Sequence, residues 1–352
     1  MPTETMTPRE RWLAVLERNT PDRVPMDYQA TPEATAKLMK HLGVDSQQEL
    51  FERLHVDARV WVGAKYTGPA LEENTDEFGC RVREVDYGTG VYKECVHHPL
   101  ASFESVDEIE ANYTWPSPDW YDYSSIPAQV EAAAGRPLAG GSCEVFMIYG
   151  HLRGLEQSMM DMVINKEMVH YCLGKLFDLD YTDALRTYEK ADGKVMLTYV
   201  AEDMGSQEGL IFSPEQIEEF LVARMKRMID LAHSAGAYVI HHNDGAIRKI
   251  IPRMIELGID VLDPVQWRCK GMAREGLKKD FGRDLVFHGG VDNQHTLPFG
   301  AADDVRTEVL ENLRILGDGG GYILGPCHNI QSVGPPENTV AMYETGYENG
   351  WC

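Results

Sequence analysis

The segment 238–251, YVIHHNDGAIRKII, sets His241, His242, Asn243 and Asp244 between an apolar run and an amphipathic one. Imidazole nitrogens and carboxylate oxygens are donors that zinc accepts. If the apolar run is a strand, side chains two apart share a face. His242 and Asp244 then point to one spot while His241 and Asn243 point away. Further ligands must come from other strands. Cys327 and His328 in GPCH, and Glu202 in the run ending AED, supply sulfur, nitrogen and oxygen. Three protein ligands leave a zinc ion with an open position, which is the catalytic arrangement rather than the structural one. His242, Asp244 and Glu202 are also the candidates for direct catalytic roles. A second reading of 243–244 is a helix cap, because Asn and Asp side chains accept the free N–H groups of a first helical turn.

These residues need a frame. From about residue 195 onward, short apolar runs alternate with helical stretches in the rhythm of repeated βα units. KVMLTYVAED precedes a helix opened by Ser213, Pro214 and Gln216; YVIHHND precedes AIRKIIPRMIELG; IDVLDPVQ, DLVFHGGVD and GYILGPCH follow, each with a helix after it. The first half adds strand candidates at 22–27, 58–66 and 136–143. Eight strands imply a (β/α)8 TIM barrel formed by residues 1–352 as one domain. Insertions follow its second and third strands: a hairpin-containing one at about 67–126, turning at Gly88–Gly90, and an extra helical stretch at about 144–193. In such a barrel the active site lies at the C-terminal strand ends. Asp27, Tyr28, Cys143, Glu144, Glu202, Asp203, Asp263, Gln266, His288, Asp292, Cys327 and His328 all fall there. His241 and His288 read as hydrogen-bonded structural groups, and Cys327 taken alone as a small core residue.

Composition bounds the partners. With 33 basic against 56 acidic residues and a formal net charge of −23, the chain has no basic surface for nucleic acid or anionic membrane. No apolar run approaches the roughly 18 residues of a membrane helix, and the N-terminal stretch has no signal-peptide core, so a cytoplasmic enzyme is expected. The seven cysteines are odd in number and without a CxxC pair, which argues against a disulfide framework.

TPRERWLAVLERNTPDRVPMD, IHHNDGAIRKIIPRMIELGIDVLDPVQ, FHGGVDNQHTLPFGAADDVRTEV and GGGYILGPCHNIQSVGPPENTVAMYE together resemble the uroporphyrinogen decarboxylase superfamily, in the right order across nearly the whole chain. The resemblance implies a (β/α)8 barrel and one of two activities. True decarboxylases use no metal and carry an Arg-Gln-Ala-Gly-Arg segment after the first strand; here the equivalent stretch, MDYQATPEATAKL, has no arginine. Without paired cations an octa-anionic porphyrinogen would be bound poorly. The other branch consists of zinc-dependent methyltransferases that work with cobalamin. Those acting on coenzyme M carry His-x-Cys-Gly where this chain has His242-Asn243-Asp244-Gly245, and a second Cys where alignment through PPEN puts His328.

The resemblance therefore implies a ligand set of His242, His328 and an acidic partner, Asp244 or Glu202, with Cys327 one residue off register. A site this rich in nitrogen and oxygen is similar to the branch that removes methyl groups from methoxylated aromatic compounds. Zinc as a Lewis acid on the ether oxygen would ease departure of a phenolate. Asp27, Tyr28, Tyr199, Gln266 and Asp292 are the candidate substrate contacts. Cobalamin would arrive on a separate corrinoid protein, since the chain has no Asp-x-His-x-x-Gly segment to hold cobalt. The methyl substrate is small, and a homodimer is allowed for. The competing expectations are a metal-independent decarboxylase and a non-catalytic corrinoid- or tetrapyrrole-binding protein.

Overall fold

The computed structural model describes residues 3–352 and contains eleven strands among them. They are β1 (Val60–Trp61), β2 (Lys65–Tyr66), β3 (Arg81–Asp86), β4 (Val91–His97), β5 (Tyr121–Asp122), β6 (Leu138–Cys143), β7 (Leu197–Ala201), β8 (Tyr238–His242), β9 (Val261–Asp263), β10 (Val286–Val291) and β11 (Tyr322–Pro326). One curled parallel sheet of seven strands runs β1-β6-β7-β8-β9-β10-β11. Every residue of β10 and β11 is buried, as expected of parallel strands covered on both faces.

Segment 23–27 draws the two edges of this sheet together. Met26 bridges in parallel to Leu324; Asp27 donates its N–H to Leu324 O at 2.8 Å, and Leu324 donates to Pro25 O at 2.9 Å. Toward the other edge, Asp57 donates its N–H to Met26 O at 2.7 Å. The strand expected over 22–27 is thus present as isolated bridges rather than a ladder, because Pro25 has no N–H to contribute. A seam remains between Asp27 and β1.

Near the N-terminal ends of the strands, the helix Pro8–Leu16 seals the sheet. Its start is set by Thr7, whose side chain accepts from Glu10 N in a capping box, and by Pro8 in the first turn. Trp12, Val15 and Leu16 pack on Ala139, Leu197, Ile240, Val261, Val286 and Ile323, one residue from each strand β6 to β11. Arg11, Arg23 and Asp57 lie beside this plug, each at most 1% exposed.

The strand expected over 58–66 breaks in two: β1 keeps two residues in the main sheet, and β2 pairs antiparallel with β5. β3 and β4 form an antiparallel hairpin. After β6 come the helices Val145–Arg153, Leu155–Ile164 and Lys166–Ala191. The helix expected to open at Gly245 begins instead at Ile251. Pro252 explains this, since proline fits a first helical turn and not an interior one. Asn243 and Asp244 therefore cap no helix, and Asn243 Oδ1 accepts from Met204 N at 2.9 Å. Among the described residues no helix is long and apolar enough to cross a membrane.

Candidate metal centre

Strand register brings the first polar residues together. In the parallel pairing of β8 with β9, His242 is opposite Asp263. Two neighbours on adjacent strands project to the same side, and His242 Nδ1 lies 3.2 Å from Asp263 Oδ2. One residue earlier, His241 faces the other way. It is fully buried with Nδ1 2.8 Å from Val200 O, and burial lowers its pKa to about 4.

Asp244 is placed by backbone rather than by a helix. Gly245 has φ +91°, and a Cβ there would stand 2.6 Å from the Gly205 carbonyl carbon, so no other residue lets the two loops touch. Asp244 N donates to Asp203 Oδ1 at 3.0 Å, and Gly245 N donates to Gln266 Oε1 at 2.8 Å. Held this way, Asp244 meets His242 and His328: the ligand atoms of the three all lie within 4.8 Å of one another. Asp244 Oδ1 is buried without a hydrogen-bond partner. A buried acceptor left open asks for a cation or a donor. Two imidazoles and a carboxylate are a donor set that suits zinc, so the residues fit the metal expected of them. Burial opposes protonation of His242, but Asp263 outweighs it and raises the pKa to about 9, so an incoming ion displaces a proton.

Behind Asp263 stands His288, 0% exposed, with Nδ1 2.5 Å from Asp263 Oδ1 and Nε2 3.0 Å from Asp27 Oδ2. An imidazole with carboxylates on both nitrogens donates from both, so it is an imidazolium. Burial works against that charge; the two carboxylates overcome it and raise the pKa. Asp27 in turn lies 2.8 Å from Arg59 Nη2.

A cavity of about 730 Å³ opens beside the centre. Asp27, Tyr28, Arg59, Trp61, Arg136, Glu144, Tyr199, Asp203, His242 and His328 are among its walls, so it follows the seam between Asp27 and β1. Tyr199 stands over His242 with ring centroids 5.5 Å apart and meets Trp61 edge-on. Burial raises the Glu144 carboxyl to about 6.

The structure does not bring every candidate here. Glu202 accepts the N–H groups of Val145 (3.0 Å) and Phe146 (3.2 Å), capping the helix after β6 from a neighbouring strand. Cys327 Sγ donates to Val265 O at 3.2 Å, and burial pushes its thiol well above the usual range. Neither joins the ligand cluster. Gln266 and Asp292 serve loops instead of the cavity: Gln266 holds Gly245, and Asp292 Oδ2 accepts from Arg268 Nε at 2.7 Å and Thr296 N at 3.0 Å. Asp27, Tyr28 and Tyr199 do line the cavity. Arg59 was given no role by the sequence, and Asp263 was placed only among the polar strand ends. A charged residue inside the apolar run ARVWV and an acid closing IDVLD were the available signals.

The sequence profile of uroporphyrinogen decarboxylase (URO-D) matches residues 76–348. The chain belongs to the uroporphyrinogen decarboxylase family. A methyltransferase from Methanosarcina mazei superposes on this family member with a TM-score of 0.70 at 18% identity, covering 97% of this chain and 99% of that one. At that identity the likeness speaks to the shared fold. A zinc-bound IolI protein aligns at a TM-score of 0.36 and 11% identity over 93% of this chain and 95% of that one, too distant to argue from. No curated protein sequence matches the chain.

Proposed function

We propose that this protein is a zinc-dependent methyltransferase that moves a methyl group between a small methylated substrate and the cobalamin of a separate corrinoid protein. The favoured substrate is a methoxylated aromatic compound. The observation that carries this reading is the cluster of His242, Asp244 and His328 at the wall of the 730 Å³ cavity, with Asp244 Oδ1 unpartnered. Membership of the family and the fold shared with a methanogen methyltransferase support it. The frame we take for it is a (β/α)8 barrel in which segment 23–27 fills the eighth position.

His242, Asp244 and His328 would hold the zinc ion, which supplies Lewis acidity toward an ether oxygen when bound. The rest falls to the chain's own groups. Tyr199 and Trp61 offer ring faces and edges for an aromatic substrate above His242. Tyr28 is a further wall residue, fixed by its hydroxyl 3.0 Å from Thr35 Oγ1. The walls include three acids, Asp27, Glu144 and Asp203, against two arginines, one of which is already paired with Asp27. Such a balance disfavours a porphyrinogen with many carboxylates and suits a small ring.

Purified protein should hold zinc in stoichiometric amount. Incubated with a cobalt(I) corrinoid protein and a panel of methoxylated aromatics, amines and thiols, it should form methylcobalamin with at least one of them. Protein free of metal and silent across the panel would sink the proposal in favour of a metal-independent decarboxylase.

A further inference from the structure

An unbroken line of buried charge joins the metal ligand to the cavity wall. Arg59 Nη2 is 2.8 Å from Asp27 Oδ2; Asp27 Oδ2 is 3.0 Å from His288 Nε2; His288 Nδ1 is 2.5 Å from Asp263 Oδ1; Asp263 Oδ2 is 3.2 Å from His242 Nδ1. Asp27 and Asp263 are each 1% exposed and His288 is fully buried.

Chemistry assigns the protons along this line. A carboxylate oxygen can only accept, so His242 Nδ1 is the N–H that donates to Asp263. His242 is thereby left with Nε2 as the nitrogen from which an incoming ion displaces a proton. A metal-bound imidazole is commonly oriented in this way, through its second nitrogen. Asp263 uses one oxygen for His242 and the other for His288, so both acceptor faces are committed. Alone, a buried carboxylate would be too costly to keep ionised. Here the order of charge alternates: Arg59 positive, Asp27 negative, His288 positive, Asp263 negative, and then the ligand.

We infer that Asp263 is a positioning residue for the metal centre. It fixes His242 as the Nδ1–H tautomer that presents Nε2 to the ion, and His288, Asp27 and Arg59 are the counter-charges that hold Asp263 in that role. The inference rests on the zinc reading above. It goes further in giving the buried array a task that a purely structural ion network would not have.

The test measures zinc affinity by chelator competition for the whole protein and for D263N and H288Q. Histidine ¹⁵N NMR of the unsubstituted protein reads the tautomer of His242. The side-chain amide introduced by D263N keeps one acceptor oxygen and turns an N–H₂ group toward a neighbour that also donates. Zinc affinity should therefore fall about 10- to 100-fold, while thermal melting shows the variant still folded. H288Q should weaken zinc in the same direction by less. NMR should find His242 protonated on Nδ1 with zinc bound. D263N that binds zinc within about twofold of the unsubstituted protein would overturn the inference, as would a zinc-loaded His242 protonated on Nε2. Should D263N not fold, D263E, which keeps the charge and displaces it, together with the tautomer decides in the same way. An unsubstituted protein that binds no zinc defeats the metal-centre reading itself, an outcome distinct from zinc binding that D263N leaves untouched.

Discussion

Two buried charge networks stand at opposite ends of the same sheet, and they differ in what they leave open. Beside the N-terminal plug, Arg11 donates to Asp22 and Asp57 (both 2.6 Å) and to Met6 O (2.9 Å). Arg23 donates to Glu4 (3.0 Å), Asp57 (2.7 Å) and His55 O (2.8 Å). Both Asp57 oxygens are engaged, and Met26 N adds a further donor at 2.9 Å. At the C-terminal strand ends the Arg59–Asp27–His288–Asp263–His242 array is as well buried, yet Arg59 Nη1 and Asp244 Oδ1 have no partner. A polar network that satisfies itself makes a core rigid and specific. One that leaves an acceptor open beside a cavity has room for a cation or a donor to complete it.

That contrast can be broken by substitution. The largest effect should come from Asp57→Ala, which leaves two buried guanidinium groups without their shared counter-charge and should cost about 3–5 kcal/mol of unfolding free energy, read as a lower denaturant midpoint. Zinc bound per folded molecule should stay unchanged. His242→Ala should invert the result, abolishing zinc binding while the midpoint of the metal-free protein moves by less than half as much. If both variants lose stability alike, the two networks do not differ in kind.

A carboxyl with no cation beside it sharpens the comparison. Desolvation, aided by Asp183, raises the Asp180 pKa to about 8. Its unfolded value is about 3.9. Between those limits the folded state holds a proton that the unfolded state has released, so Asp180 subtracts stability as pH rises from about 4 to about 8. Asp180→Asn should therefore stabilise the protein at pH 8 and change little at pH 4. Equal effects at both pH values would rule this out. The smallest change should be Cys327→Ala, which loses one sulfur hydrogen bond worth about 1 kcal/mol and leaves zinc stoichiometry intact. A loss of zinc would return the thiol to the ligand set.

Much of the frame was legible because parallel strands announce themselves as apolar runs between glycines. The two-residue period of a strand links His242 to Asp244 in the sequence itself, and the GPCH motif marks His328. What spacing could not show was register. Asp263 becomes meaningful only when β9 slides to put it opposite His242, and His288 only when it lies between two carboxylates brought from segments far apart in sequence. Glu202 is a related case. Its position at a strand end was correct, but the open N–H groups after Glu144 claimed its carboxylate. The helix after Asp244 was placed too early because Ile247 and Ile250 keep helical spacing while Pro252 sets the start.

The seam has a consequence for the order of assembly. Asp27 meets His288 one residue after the bridge from Met26 to Leu324, and the same segment is tied to residues still further along the chain through Arg23 and Trp351. During synthesis the early segment can meet Asp57 soon after both emerge, but its bridge to Leu324 must wait until β11 has emerged. A chain stopped short of residue 324 would lack the Met26–Leu324 bridge and His328, and so could assemble neither the closed seam nor the three-residue cluster.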